Sequence, residues 1–208
     1  MRHSEHCAAL AAELDLLVAT VAHADPAAGV PTCPGWTVAD LARHVGGVHR
    51  WAAHHVRTRS LVRVPSSEVE LHEPADDAGL AGWLADGGTQ LLDALGQADG
   101  DDAVWMWGAD RHVRGWSRRM LHETTIHRVD VQRAAGGAPE VDACVAVDGI
   151  DEILANLPHA AYFAPHLDDL RGDGETVCLE PTDRPTGWLV RLWPQGYYWE
   201  RRRADADA

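Results

Sequence analysis

Leu10, Leu14, Leu17 and Val21 recur at three- and four-residue intervals, and apolar patterns of that kind return three more times along the chain. Side chains so spaced form one stripe on a helix, and such a stripe is stable only when buried against another element. The first segment reads as a helix over residues 4–24. Asp25 to Gly35 is a Pro/Gly-rich connector. Thr37 then opens a second helix as N-cap, with Asp40 in the first turn, where an acid suits the helix dipole. Its buried stripe is Leu41, Val45, Val48 and Ala52, and it fades near Arg59. Residues 60–76, with Pro65 and Pro74, read as a loop. Leu80, Trp83, Leu84, Leu91, Leu92 and Leu95 mark a third helix, weakened by Gly87 and Gly88. Trp105 to Gly115 reads as irregular or a short strand. A fourth helix runs from about Ser117 to Ala135 and ends at Gly136-Gly137. Four amphipathic helices of this length suggest a mainly α chain built on an antiparallel four-helix bundle.

The pattern changes after Pro139. Asp148 to Leu157 reads as one more helix. Thr176–Leu179, Trp188–Leu192 and Tyr197–Glu200 read as short strands between Pro/Gly turns, the start of a small α+β region. The expected division is a bundle over 1–140 and a second region over 146–208.

The formal net charge is -14, a field that repels phosphate backbones and anionic lipid surfaces, so neither nucleic acid nor membrane is an expected partner. All 18 basic residues are Arg, which removes any Schiff-base lysine chemistry. Abundant Ala, Gly, Asp and Arg fit a GC-rich genome. Cys7, Cys33, Cys144 and Cys178 are scattered, with no C-x-x-C pair. No signal peptide is evident, and Glu13 and Asp15 interrupt the apolar run Ala8–Val21, so a membrane span is not expected. The expectation is a cytoplasmic protein with reduced thiols.

The fourth helix carries His122-Glu-Thr-Thr-Ile-His127. Four residues advance a helix by about 400°, so Glu123 and His127 share a face. Met120 and Ala134 lie near it, which makes it the inward face. A carboxylate and an imidazole turned into a bundle are costly unless something pairs with them, and a divalent metal is one answer. His44, set among Leu41, Val45 and Val48, offers a third ligand from the second helix. Two His and one carboxylate leave a coordination position open, as catalytic sites do. The plainer alternatives are a hydrogen-bonded core histidine at 44 and an i,i+4 pair between Glu123 and His127. The zinc-protease spacing H-E-x-x-H does not apply, because His122 and His127 are five residues apart and point about 140° from each other. His49 is likewise five residues from His44 and should point elsewhere. His55 shares His44's face about 16 Å along the axis and is expected to be solvated more readily than to line a cavity. Asp130 either holds the ring of His127 from outside or pairs with Arg133 or Arg128. Cys33 reads as a small buried hydrophobe before a reactive thiol. The nine Trp read mostly as core and cavity lining.

Two stretches then become familiar. Val30-Pro-Thr-Cys-Pro-Gly-Trp-Thr-Val-Ala-Asp-Leu-Ala-Arg-His44-Val resembles the N-terminal signature of the mycothiol-dependent maleylpyruvate isomerase family, and Trp116-Ser-Arg-Arg-Met-Leu-His-Glu123-Thr-Thr-Ile-His127-Arg-Val-Asp130 resembles its second signature. The likeness covers roughly residues 5–140. It implies a DinB-like metal-binding four-helix bundle, with ligands on His44, Glu123 and His127. It further implies zinc as the metal and the actinobacterial thiol mycothiol as cosubstrate. Gly174–Leu179 and Gly187–Leu192 are similar to the first strands of the family's sterol-carrier-protein-like C-terminal domain, which here looks incomplete at Ala208. The implied activity is isomerisation or S-transfer on a small electrophile, by a monomer or homodimer. A metal-dependent hydrolase and a non-catalytic metal- or small-molecule-binding module remain the competing readings.

Overall fold

The computed structural model describes residues 1–203; positions 204–208 of the expected second region lie outside the described residues. Five α-helices are present among the described residues: α1 (His3–His23), α2 (Val38–Thr58), α3 (Leu80–Gly96), α4 (Val113–Ala134) and α5 (Ala143–Asn156). Three strands follow, β1 (Thr176–Leu179), β2 (Thr186–Trp193) and β3 (Gly196–Arg203). The chain divides into two compact units at Glu152–Ile153.

In the first unit α1 packs on α3 and α4, and α2 packs on the same two helices. The four stripes meet in a core where Leu10, Leu91, Leu95, Met106, Trp116 and Leu121 are almost fully buried. A second cluster joins Leu17, Leu41, Val45, Leu84 and Val131. The glycines of the third helix have a packing role: a Cβ at Gly88 would collide with Leu14, and one at Gly46 on α2 with the ring of Trp83. Glycine there costs helix propensity but lets neighbouring helices lie close.

By length and hydropathy alone α1 could cross a membrane, contrary to the expectation from Glu13 and Asp15. In this fold its stripe of Leu10, Leu14 and Leu17 is core, and Glu13 accepts a 2.6 Å bond from buried Arg128 on α4. That pairing belongs to the packed helix of a bundle, where a buried acid needs a cation.

The fourth helix starts four residues before the expected Ser117. Val113 and Trp116 are both fully buried, so the apolar stripe already governs the turn that Gly115 made look irregular. Upstream, Ala103 and His112 form an isolated antiparallel bridge. The fifth helix likewise starts before Asp148, at Ala143. Its first part belongs with the bundle, because Asp148 and Glu152 both bond to α4. The compact unit that holds the bundle therefore runs to Glu152, within α5.

The second unit holds a three-stranded antiparallel sheet in the order β1-β2-β3. Trp193 pairs with Gly196, so Pro194-Gln195 form a two-residue turn, and Gly196 has φ +139. Trp188, Leu189 and Val190 are buried on the middle strand, while β1 is exposed along its length. The four cysteines are all free, and Cys144 and Cys178 are exposed.

Candidate metal centre

The start of α2 is fixed by a reciprocal cap. Thr37 Oγ1 accepts from the Asp40 amide at 3.2 Å, and the Asp40 carboxylate accepts from the Thr37 amide at 2.9 Å. Seven residues on from this cap, His44 faces α4. There Glu123 and His127 stand one turn apart, as helical spacing requires. His44 Nε2 lies 3.0 Å from Glu123 Oε1, and His127 Nε2 lies 3.4 Å from the same oxygen. The two imidazoles meet edge to face at 5.1 Å. One ligand atom from each of the three residues falls within 4.8 Å of the others. Two atoms each about 2.1 Å from a tetrahedral metal would be about 3.4 Å apart, so the spacing fits one ion with small adjustments.

The trio does not sit in the sealed core that its inward face suggested. Side-chain exposures of 35%, 20% and 15% for His44, Glu123 and His127 place it at the edge of the bundle. The site is therefore approachable from solvent, which a reacting centre needs and a structural site does not.

Charge is organised around Glu123. Burial alone would raise its carboxyl. Hydrogen bonds from His127 and His44 and the charge of Arg119 outweigh that, and hold it well below the ordinary carboxylate range. Burial disfavours charge on His127 as well, but Glu123 and Asp130 together raise its pKa. His127 Nδ1 donates to Asp130 Oδ2 at 3.0 Å, which leaves Nε2 directed at the shared centre. The two carboxylates thus favour positive charge beside them, and the donor set is one that a divalent ion can take.

Asp130 is itself held by the connector between α1 and α2. Thr32 Oγ1 donates to its Oδ1 at 2.6 Å, and Cys33 Sγ approaches its Oδ2 at 3.8 Å. Burial, then the charge of Asp130, push the Cys33 thiol up, so it stays protonated at neutral pH. Trp36 from the same connector sets its ring against His44 at 5.2 Å. On the other side of Glu123, Arg119 Nη2 donates to Oε2 at 3.3 Å while its Nη1 donates to Glu152 on α5 at 2.7 Å.

Asp130 thus sits against His127. Its alternative partner Arg128 is engaged by Glu13, Gln132 and the Glu140 carbonyl. His122 points away from the trio, to Asp148 at 2.8 Å. His49 points to Thr124 Oγ1 at 2.9 Å, fully buried, and burial pushes its pKa down to about 4. Two expectations are corrected. His55 is not solvated: it is fully buried among Trp51, Trp105 and Trp116, because the loop after α2 and the segment before α4 close over it. For Cys33 the correction is partial: it packs against the cluster of Leu17, Val30 and Val131 as a small hydrophobe would, but it is only half-buried and its thiol lies beside Asp130. Sequence reasoning passed over Thr32, Trp36, Arg119 and Glu152. Arg119 carried a signal, its i,i+4 spacing to Glu123. Glu152 carried none, since its role depends on where α5 docks.

Cys33, His127 and Asp130 form a second group with metal-ligand spacing, sharing His127 with the first. No curated protein and no solved structure matches the chain. Residues 7–132 match the family described as mycothiol maleylpyruvate isomerase N-terminal domain, a span that contains His44, Glu123, His127 and Asp130. The chain belongs to the mycothiol maleylpyruvate isomerase N-terminal domain family.

Proposed function

We propose that this protein is a metal-dependent, mycothiol-using enzyme that carries out isomerisation or S-transfer on a small electrophilic substrate. In this reading the bundle is DinB-like, His44, Glu123 and His127 hold one divalent ion, zinc by preference, and the sheet unit is sterol-carrier-protein-like. The observation that carries it is the convergence of two imidazole nitrogens and one carboxylate oxygen at a partly exposed place inside the family match. Two His and one carboxylate suit zinc, which tolerates mixed nitrogen and oxygen ligands, and leave a position for an exogenous group.

A divalent ion bound there supplies Lewis acidity, which keeps a thiol deprotonated at neutral pH although its free pKa is near 8.5. The chain's own residues prepare that chemistry. Asp130 accepts from Nδ1 of His127, so Nε2 is the nitrogen that would face the ion. Arg119 holds Oε2 of Glu123, so Oε1 faces the imidazoles. Trp36 covers the outer edge of His44 and limits water on that side. In isomerisation a thiolate adds to an activated double bond, rotation follows about the resulting single bond, and elimination restores the alkene with the thiol released. In S-transfer the new carbon–sulfur bond persists.

Calorimetry of mycothiol binding to the zinc-loaded protein, in buffers of different ionisation enthalpy, tests the reading. Binding below the free thiol pKa should release up to about one proton per site. Absence of thiol binding with the metal fully loaded would contradict it. Turnover without any thiol would then favour a hydrolase, and no turnover at all a binding module.

A further inference from the structure

Glu152 lies on α5, beyond the stretch that matches the family, and its side chain is only 2% exposed. Its Oε2 accepts from Arg119 Nη1 at 2.7 Å, and the other arm of the same guanidinium reaches Oε2 of Glu123 at 3.3 Å. The second oxygen of Glu123 faces His44 and His127. One buried guanidinium therefore spans two carboxylates, one turned to the metal centre and one remote from it. We propose that Glu152 is a positioning residue for the metal centre, acting on Glu123 through Arg119. The proposal rests on the metal-binding reading above.

Two physical effects support it. An arginine in contact with a ligand carboxylate competes with a cation for that carboxylate's charge, and with Arg119 and Glu152 both buried the competition is only partly screened. Glu152 takes the shorter bond, so the guanidinium charge is balanced away from the centre and the electron density of Glu123 stays available. The planar fork of arginine also fixes direction as well as distance, so Glu152 and Arg119 together set which oxygen of Glu123 turns inward. A ligand held from outside in this way keeps its geometry before the metal arrives.

The structure supplies its own control. Asp148 sits one turn before Glu152 on α5 and also reaches α4, through Arg118 at 2.9 Å and His122 at 2.8 Å, and α1 through His6 at 3.2 Å. It docks the helix as Glu152 does. Among the described residues, none of its hydrogen bonds reaches Arg119, Glu123, His44 or His127. Loss of Asp148 therefore perturbs the docking of α5 without touching the chain of contacts to the metal centre.

The experiment is a zinc affinity measurement by competition with a chromophoric chelator, with a metal-free melting curve for each protein. The proteins are the full chain, Glu152→Gln, Arg119→Lys and Asp148→Asn. Glu152→Gln should weaken zinc binding by roughly 10–100-fold, the range for loss of an outer partner of a ligand. Arg119→Lys keeps the charge but cannot span both carboxylates, and should weaken binding in the same direction. It carries the test if Glu152→Gln does not fold. Asp148→Asn should lower the melting temperature and leave zinc affinity unchanged. Unchanged affinity in both Glu152→Gln and Arg119→Lys would overturn the proposal, as would equal weakening by Asp148→Asn, which would make helix docking the cause. An unsubstituted chain that takes up no zinc would instead overturn the metal-binding reading itself.

Discussion

Replacing His44, Glu123 or His127 by Ala should each weaken zinc binding by more than roughly 10–100-fold, the cost of losing only an outer hydrogen-bond partner. Asp130→Asn should fall inside that range, because it loosens His127 without removing a ligand atom. Cys33→Ser separates the two candidate groups: it should leave affinity unchanged if the trio holds the metal, and abolish binding if Cys33, His127 and Asp130 do. His55 supports a different measurement. Both its ring nitrogens are buried without a well-formed hydrogen bond, and burial, with the charge of His54 adding to it and the Val64 backbone opposing, pushes its pKa down to about 4. An unfolded histidine titrates near about 6.5. Between those values the unfolded chain binds the extra proton, so stability is lost as pH falls from the upper value toward the lower and returns as pH rises. His55→Phe should fill the tryptophan cage, relieve about 1–3 kcal/mol of poorly paired polar burial and lessen the dependence of melting temperature on pH in that window, with His49 keeping its own share. An unchanged slope would mean that the imidazole is solvated or paired.

At the scale of the element, Gly46 tests how α2 and α3 approach each other. Ala at that position gains about 1 kcal/mol of helix propensity but drives a methyl into the rigid ring of Trp83. Overpacking of this kind costs roughly 1–3 kcal/mol, so Gly46→Ala should lower the denaturation midpoint. A higher midpoint would show that the two helices can part without loss. The elements themselves were largely legible. The stripes through Leu10, Leu41, Leu91 and Met120 lie on helices close to the expected bounds, and Thr176–Leu179 is a strand as read. What the pattern missed lies where apolar spacing is interrupted. Val113 and Trp116 begin α4 earlier than Gly115 suggested, and the start of α5 is set by Asp142 and Asp148 rather than by an apolar stripe. Of the site, helical geometry singles out His44, Glu123 and His127. Glu152 and Thr32 did not show, because their meaning comes from contacts between segments far apart in the chain, and Arg119 showed only its helical spacing to Glu123.

For the molecule as a whole, the net charge of -14 is locally offset around the trio by Arg119, while Glu123 and Asp130 favour the charged form of His127. A divalent cation among the three side chains would complete the charge pattern. The α2–α4 pairing that brings His44 to Glu123 is what would join fold to function: the stripes that bury α2 against α4 also fix the distance between the candidate ligands. The direct test is the visible spectrum of the cobalt-substituted protein, recorded before and after addition of mycothiol. The account predicts one cobalt per chain with intense bands of low coordination number, lost in His44→Ala. It also predicts a new sulfur-to-cobalt charge-transfer band when the thiol is added. A spectrum that His44→Ala leaves unchanged, or a saturating thiol that produces no sulfur band, would contradict it.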